Sequence, residues 1–501
     1  MGQAMRRKPA THRPIVLTSI VIGMFMAAIE ATIVATAMPN IVADLGGFSL
    51  YSWVFSIFLL MQAITVPIYG KLADLYGRKP VYVTGVIIFL IASILCGIAN
   101  SMPFLILFRF LQGIGAGAVQ PIAMTIVGDI YTIEERSKIQ GYLASVWGIS
   151  AIIGPTLGGF FVEFLHWKWI FWINIPFGVL SLAGIIFFLD ERIETKKRSI
   201  DYLGAAFLFI SVTGLMIAFI QGGVAWSWLS TESLLFLSLF LGGFLLFLIQ
   251  ENRATEPIMP LWIWKNQIIS IANAASLTTG MIMIGIISFI PTYVQGAMEH
   301  SAIVGGFTLA VMSIGWPICS TIAGKILLTI GFRKTALIGG VCLIIGSILL
   351  LISQPEYGPV LVGFGSFFIG AGMGFTTTTY IVSIQSNVAW NVRGVATASN
   401  MFMRILGNTM GVSIMGALLN MRLLVYLEEH APSGSSFGLG IADTLLDPIQ
   451  RDQLPNELAG ILQEGLAISI QSIFWFLAIL ACITFILNMF LPPKTTRTGD
   501  D

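Results

Sequence analysis

Gly70-Lys71-Leu72-Ala73-Asp74-Leu75-Tyr76-Gly77-Arg78-Lys79, read as GKLADLYGRK, sits in the short gap between two long apolar runs, 51–71 and 80–99. Glycine lets the chain reverse within a few residues, and the Asp74 carboxylate is available to cap a helix start or pair with a cation. Lys71, Arg78 and Lys79 hold such a turn on one side of a bilayer. The stretch therefore predicts a tight, charged connection between two membrane-spanning helices.

The whole chain agrees with that reading. Its 501 residues are 56% hydrophobic and only 10% charged, against about 25% charged in soluble domains. This balance predicts an all-α integral membrane protein and argues against a large cytosolic enzyme. Net charge is +1 and no basic tract is interleaved with aromatics, so no nucleic-acid partner is expected. Cys96, Cys319, Cys342 and Cys482 lie in apolar runs without metal-ligand spacing and read as small buried hydrophobes. No GxxxxGK[ST] stretch supplies an ATP site, and the four histidines form no catalytic cluster with cysteines or acids.

About 20 mainly apolar residues cross a bilayer as a helix. By that rule there are about fourteen spans: 14–38, 51–71, 80–99, 103–128, 137–162, 169–189, 201–222, 231–250, 268–294, 303–328, 335–353, 358–384, 394–419 and 468–490. An even count places both termini on one side. With the N-terminus inside, only Lys168, Arg422 and Arg451 are basic on the outer loops. The inner segments then carry Lys71, Arg78, Lys79, Arg136, Lys138, Lys196, Lys197, Arg198, Arg253, Lys265, Arg333, Lys334 and Arg393. That bias predicts a plasma-membrane protein with cytoplasmic termini. The apolar stretch up to Met38 is too long for a signal peptide and reads as a retained first span.

The halves repeat. Gly113, Gly115, Gly117 and Arg136 recur 257 residues later as Gly370, Gly372, Gly374 and Arg393, and Gly154 and Gly159 recur as Gly411 and Gly416. GKLADLYGRK has a worn copy in Gly324, Lys325, Gly331, Arg333 and Lys334, and the turn expected at Met38-Pro39 matches Ile290-Pro291. Parallel repeats flanking a cavity are an architecture of secondary transporters. The expected layout is an N-terminal tail 1–13, a six-helix bundle 14–190, a two-helix insert with linkers 191–266, a second six-helix bundle 267–491 and a tail 492–501. Within the second bundle, 420–467 reads as an acidic external loop, flexible around 431–440 and amphipathic-helical over 456–466.

GKLADLYGRK resembles the loop signature of the major facilitator superfamily. Arg109-Phe110-Leu111-Gln112-Gly113-Ile114-Gly115 resembles its fourth-helix RxxQGxG motif. The run from Gly148 through Gly154, Pro155, Gly158 and Gly159 resembles the fifth-helix antiporter motif. Glu30-Ala31-Thr32-Ile33-Val34 with Met38-Pro39-Asn40-Ile41-Val42, and Trp167 through Pro176, are similar to the fourteen-helix drug:proton antiporters. The resemblance implies alternating access, multidrug efflux and antibiotic resistance, driven by a proton gradient with no cofactor. Two departures stand out: that branch usually carries aspartate where this chain has Glu30, and 303–328 holds no acid where some members have one.

Glu30 is the only acid well inside a span, and a carboxylate at mid-membrane costs about 3 kcal/mol or more, which favours proton uptake. Arg109 lies at similar depth, cannot shed its charge and must pair. Protonating Glu30 would loosen such a pair, leaving Arg109 to Gln112, water or a carbonyl. The alternatives are a glutamate facing a wet vestibule and a purely structural arginine. For Asp74, with Gly70, Gly77, Arg78 and Lys79, the resemblance implies a gate at the start of the span at 394–419; local pairing with Arg78 is the alternative. Gly148, Pro155 and Gly158 on one face read as a seam between bundles or as ordinary tight packing. Gln62, Gln120, Asn273, Thr279, Gln385, Asn400 and Arg404 are candidate cavity side chains, with Met124, Trp147 and Trp316 as an adaptable apolar wall.

These residues predict a proton-coupled exporter of lipophilic, monocationic or neutral drugs and biocides. The expected partners are small molecules, protons and the bilayer, with no obligatory protein partner. An exporter of one metabolite or lipid would keep the fold but lack broad resistance. A non-transporting receptor would bind ligand without proton-linked flux.

Overall fold

The computed structural model describes residues 11–45, 51–191, 201–221, 226–254, 257, 261–300, 302–430 and 456–492. Expectations for the outermost termini, most of both linkers around the insert and the stretch 431–455 lie outside the described residues. The helices are α1 (Arg13–Leu45), α2 (Tyr51–Tyr76), α3 (Arg78–Gly97), α4 (Met102–Ile130), α5 (Ile133–Phe164), α6 (Trp169–Trp172), α7 (Asn174–Phe188), α8 (Tyr202–Gln221) and α9 (Thr231–Arg253). They continue as α10 (Gln267–Thr292), α11 (Ala302–Ile330), α12 (Phe332–Leu351), α13 (Pro359–Ser386), α14 (Arg393–His430) and α15 (Asn456–Met489). Among the described residues, 12 helices are long and apolar enough to cross a membrane.

Packing reproduces the sequence repeat. In the first half α1 packs on α5 and α7, and α4 on α2 and α3; in the second, α10 packs on α14 and α15, and α13 on α11 and α12. The halves meet along two seams, α5 with α11 and α2 with α14. The seams are themselves equivalent. A Cβ at Gly141 of α5 would lie 2.1 Å from Thr321 Oγ1 of α11, and a Cβ at Gly70 of α2 would lie 2.3 Å from the Ala398 Cβ of α14. Residues 141 and 398 are the same 257 apart as the other repeated pairs. α8 and α9 pair with each other, and α8 touches both α2 and α14.

The two motif turns show why glycine is needed there. Gly77 (φ 96°) leads into α3 and Gly331 (φ 85°) leads into α12, and both occupy backbone space that side chains disfavour. α5 starts at a capping box, with Glu135 N–H donating to Thr132 Oγ1 at 3.3 Å and Thr132 N–H to Glu135 Oε2 at 2.9 Å.

Three boundaries differ from the sequence reading. α1 continues through Met38-Pro39 to Leu45, and Pro291 lies inside α10, which passes into a π-helical turn over Tyr293–Ala297, so neither is a turn. Membrane helices tolerate proline where neighbouring helices, hydroxyls or local π adjustments take up the groups it frees, and the π-helical turn follows closely on Pro291. The span at 169–189 is broken at Ile173 into α6 and α7. The segment 420–467 is not all loop: α14 runs on to His430, α15 begins at Asn456, and Leu423, Leu427, Leu462 and Leu466 share one core cluster.

Close helix contacts depend on the absence of a side chain at particular glycines. A Cβ at Gly115 would lie 2.4 Å from Phe89 N, whereas nothing lies within 4 Å of one at Gly363. Gly115→Val is expected to destabilise the detergent-solubilised protein by about 1–3 kcal/mol, read as a lowered melting temperature. Gly363→Ala is expected to match the wild type; equal melting of the two variants would contradict the packing described.

Candidate functional site

The five helices α1, α2, α3, α4 and α7 enclose one polar cluster inside the first bundle. Glu30 and Arg109 are 0% and 1% exposed, and Arg109 Nη1 contacts Glu30 Oε1. Arg109 Nη1 also donates to Gln112 Oε1 at 2.7 Å, and its Nε to the Val54 carbonyl at 3.2 Å. The guanidinium lies 4.2 Å from the centre of the Phe58 ring. Asn174, the first residue of α7, donates from Nδ2 to Glu30 Oε2 at 2.5 Å, while Gln112 Nε2 donates to Ser93 Oγ at 2.8 Å. Every donor of the cluster comes from the same bundle, so Glu30 is sealed away from the gap between the halves. Asn174 Oδ1 is buried and has no hydrogen-bond partner among the described residues.

A second cluster joins the halves at the face carrying the basic turns. Asp74 accepts from the backbone N–H groups of Gly394 (3.1 Å) and Val395 (2.8 Å), the start of α14, and pairs with Arg78 Nη2 at 2.8 Å. The two alternatives left open by the sequence thus hold together, because one carboxylate has lone pairs enough for both. Asp129 of α4 is shared by Arg78 Nε (2.9 Å) and Arg393 Nη1 (2.6 Å), so a second acid bridges the bundles. Arg78 also donates to the Trp390 carbonyl at 2.8 Å and stacks 4.0 Å from that indole. Gly394 is required: a Cβ there would lie 2.6 Å from Asp74 Oδ1.

Gly77 places Arg78 and Lys79 at the bare start of α3, where Glu191 accepts both backbone N–H groups at 2.7 and 2.8 Å. Lys79 Nζ donates to the Ile186 and Leu189 carbonyls at 2.7 and 2.8 Å, at the end of α7. Each charge thus faces the helix pole of opposite sign.

A model of the Major Facilitator Superfamily matches residues 20–412. The chain belongs to the Major Facilitator Superfamily. It is 36% identical over 506 residues to the multidrug transporter protein MdtP of Bacillus subtilis, covering 96% of this chain and 94% of that one. Multidrug resistance protein 3 of the same species is 36% identical over 499 residues, covering 98% and 97%. The human organic anion transporter MFSD10 superposes with a TM-score of 0.65 at 14% identity, over 95% of this chain and 99% of its own. The proton:xylose symporter XylE gives 0.61 at 11% identity, over 95% of each; both likenesses show the fold alone. This superfamily member is a multi-pass membrane transporter with multidrug-efflux relatives, and its family consists of transporters, not enzymes.

The structure separates the candidate cavity residues. Asn273 Nδ2 donates to Ser399 Oγ at 2.9 Å, Asn400 Nδ2 to Ser276 Oγ at 2.8 Å, and Thr279 Oγ1 to the Ala275 carbonyl at 3.0 Å. Asn273 and Asn400 thus tie α10 to α14, and Thr279 closes on its own helix. Gln385 bridges the halves, donating to the Met124 carbonyl at 3.2 Å. Gln62, Gln120, Trp147, Trp316 and Arg404 are half-buried and Met124 is buried. On α5, a Cβ at Gly148 would lie 2.6 Å from the Ser313 carbonyl of α11, and Gly154 and Gly158 are buried. For Pro155 and Gly159 only the helical backbone is described.

Sequence reasoning missed Asn174, Asp129 and Glu191. Asn174 stood within a recognised motif, but nothing in its spacing tied it to Glu30, 144 residues away.

Asp74→Asn removes the charge that holds α14 and is expected to raise maleimide labelling of an Ala398→Cys probe severalfold. Labelling equal to that of the Asp74 parent would show that the carboxylate does not hold this face shut.

Proposed function

We propose that this chain exports lipophilic compounds across the cytoplasmic membrane in exchange for protons, with both termini in the cytoplasm. On this reading α5 and α8 also cross the bilayer. They complete fourteen spans, and α8 and α9 form an insert between two six-helix bundles. The basic turns then face the cytoplasm, and the Asp74–Asp129 cluster is the closed cytoplasmic gate of an outward-facing state. Support comes from the names of the relatives and from one observation above all. Glu30 is fully buried against an arginine that cannot discharge.

The cluster offers both protonation states a set of partners. With Glu30 ionised, Arg109 and Asn174 Nδ2 donate to its two oxygens. With Glu30 protonated, rotation of the Asn174 amide lets the unpartnered Oδ1 accept the carboxylic O–H. Arg109 then keeps Gln112, the Val54 carbonyl and the Phe58 ring. Proton uptake loosens the tie between α1 and α4 without stranding a bare cation. Because both helices belong to one bundle, the effect reaches the gate through bundle shape.

Reconstituted protein is expected to drive dye uptake under an imposed pH gradient, and Glu30→Gln to reduce it to the protein-free background with normal melting. Full gradient-driven transport by that variant would overturn the proton role. A panel of dyes and biocides in an efflux-deficient host is expected to show broad resistance, whereas resistance to none would favour a single endogenous cargo.

A further inference from the structure

We propose that Arg404 is the charge-recognition site for substrate, and that it selects lipophilic compounds carrying an anionic group such as a carboxylate. The proposal rests on the export reading above and narrows its lipophilic cargo to acids, in competition with the monocationic or neutral cargo expected from sequence.

Thr397, Arg404 and Asn408 share one face of α14, being seven and four residues apart. The foot of that face is located by Gln385 of α13, which donates both to Thr397 Oγ1 at 3.4 Å and to the Met124 carbonyl of α4. The foot of the face therefore lies where Gln385 of α13 reaches α4 of the opposite bundle, and α14 itself packs on α4. Arg404 stands about 10 Å along the axis from Thr397 and about 16 Å from Arg393 at the helix start, close to the middle of the bilayer. The backbone is fixed there, since a Cβ at Gly280 of α10 would lie 2.2 Å from the Arg404 carbonyl.

The Arg404 side chain is half-buried and makes no hydrogen bond or ion pair with any described residue. Among the described residues no acid pairs with it. Helices α10 to α13 contain none, and Glu428 and Glu429 of α14 lie about 36 Å further along the axis. Glu30 already faces Arg109. Among the described residues Arg404 is thus a guanidinium without a counter-charge, and an intramembrane cation without a partner marks a ligand path. One turn on, Asn408 Oδ1 is buried without a hydrogen bond and calls for a donor. At the equivalent place in the first bundle, 257 residues earlier, stands Trp147, an aromatic surface for the lipophilic body.

A matched pair of dyes isolates the acid: rhodamine 110 has a free carboxylate and rhodamine 123 is its methyl ester. Binding to the purified full-length protein, followed by fluorescence polarisation, needs no proton gradient. The wild type is expected to hold the acid about ten- to a hundred-fold more tightly than the ester. Arg404→Gln is expected to remove that preference, and Arg404→Lys to keep part of it, with melting curves confirming both folds. Equal wild-type affinities, no binding of either dye, an undiminished preference in Arg404→Gln, or equal loss of both dyes would overturn the proposal. Acid-selective binding without gradient-driven transport would instead count against the proton-coupled reading alone.

Discussion

The pairing of Glu30 with Arg109 inside one bundle governs how everything else in the membrane interior is read. A lone carboxylate or guanidinium there is costly, and breaking a buried pair costs about 3–5 kcal/mol because the survivor is left uncompensated. The chain surrounds the pair with Gln112, Asn174, the Val54 carbonyl and the face of Phe58, so neither charge depends on water. The acid is therefore committed to its own bundle. It is not displayed in the gap as a counter-charge for cationic cargo.

On the proposed reading the Asp74–Asp129 cluster follows another logic, because a gate must open. Its strongest links, Asp74 to the start of α14 and Asp129 to Arg393, cross between halves that move relative to each other on the alternating-access reading. They lie at the membrane edge, where water can replace each partner as the halves part. The repeat makes the asymmetry plain. Gly77 and Gly331 have the same unusual backbone at equivalent turns, yet the position equivalent to Asp74 is Leu328. One seam has a charged latch; the other, between α5 and α11, is uncharged and close at Gly141 and Gly148, against the Thr321 hydroxyl and the Ser313 carbonyl. The first is held by interactions that can be exchanged for water, the second by shape.

Much of this architecture was legible in sequence because its signals are periodic. Apolar runs located the helices, and offsets of 252 to 257 residues paired them across the halves. What escaped was of two kinds. Helix continuation through Pro39 and Pro291 and the extension of α14 to His430 have no periodic signal; Gly465 of the helix expected over 456–466 nests against Tyr426 only because α14 continues. Partner choice among polar residues was equally hidden. Asn273 and Asn400 look like Gln62 or Arg404 in a hydropathy plot, but facing positions on α10 and α14 turn them inward to each other. A side chain's partner is set by helix rotation, which composition does not encode.

That distinction bears on how two ligands can exclude one another. A shared site would require proton and cargo to compete for the same atoms, but Glu30 is closed within the first bundle and Arg404 belongs to the second. On the proposed export reading, exchange then arises by linkage: each ligand favours one arrangement of the halves, and each changes the other's affinity by the same factor. The geometry offers the connection. Glu30 is on α1, which packs on α5; α5 meets α11, α11 packs on α13, and Gln385 of α13 bonds Thr397 on the face of α14 that carries Arg404. A change in how α1 sits against α4 therefore alters the space around Arg404 only by moving one bundle against the other. Coupling of this kind needs no fixed cargo shape, because the proton never contacts the cargo, and it suits a transporter whose relatives are named for handling many drugs.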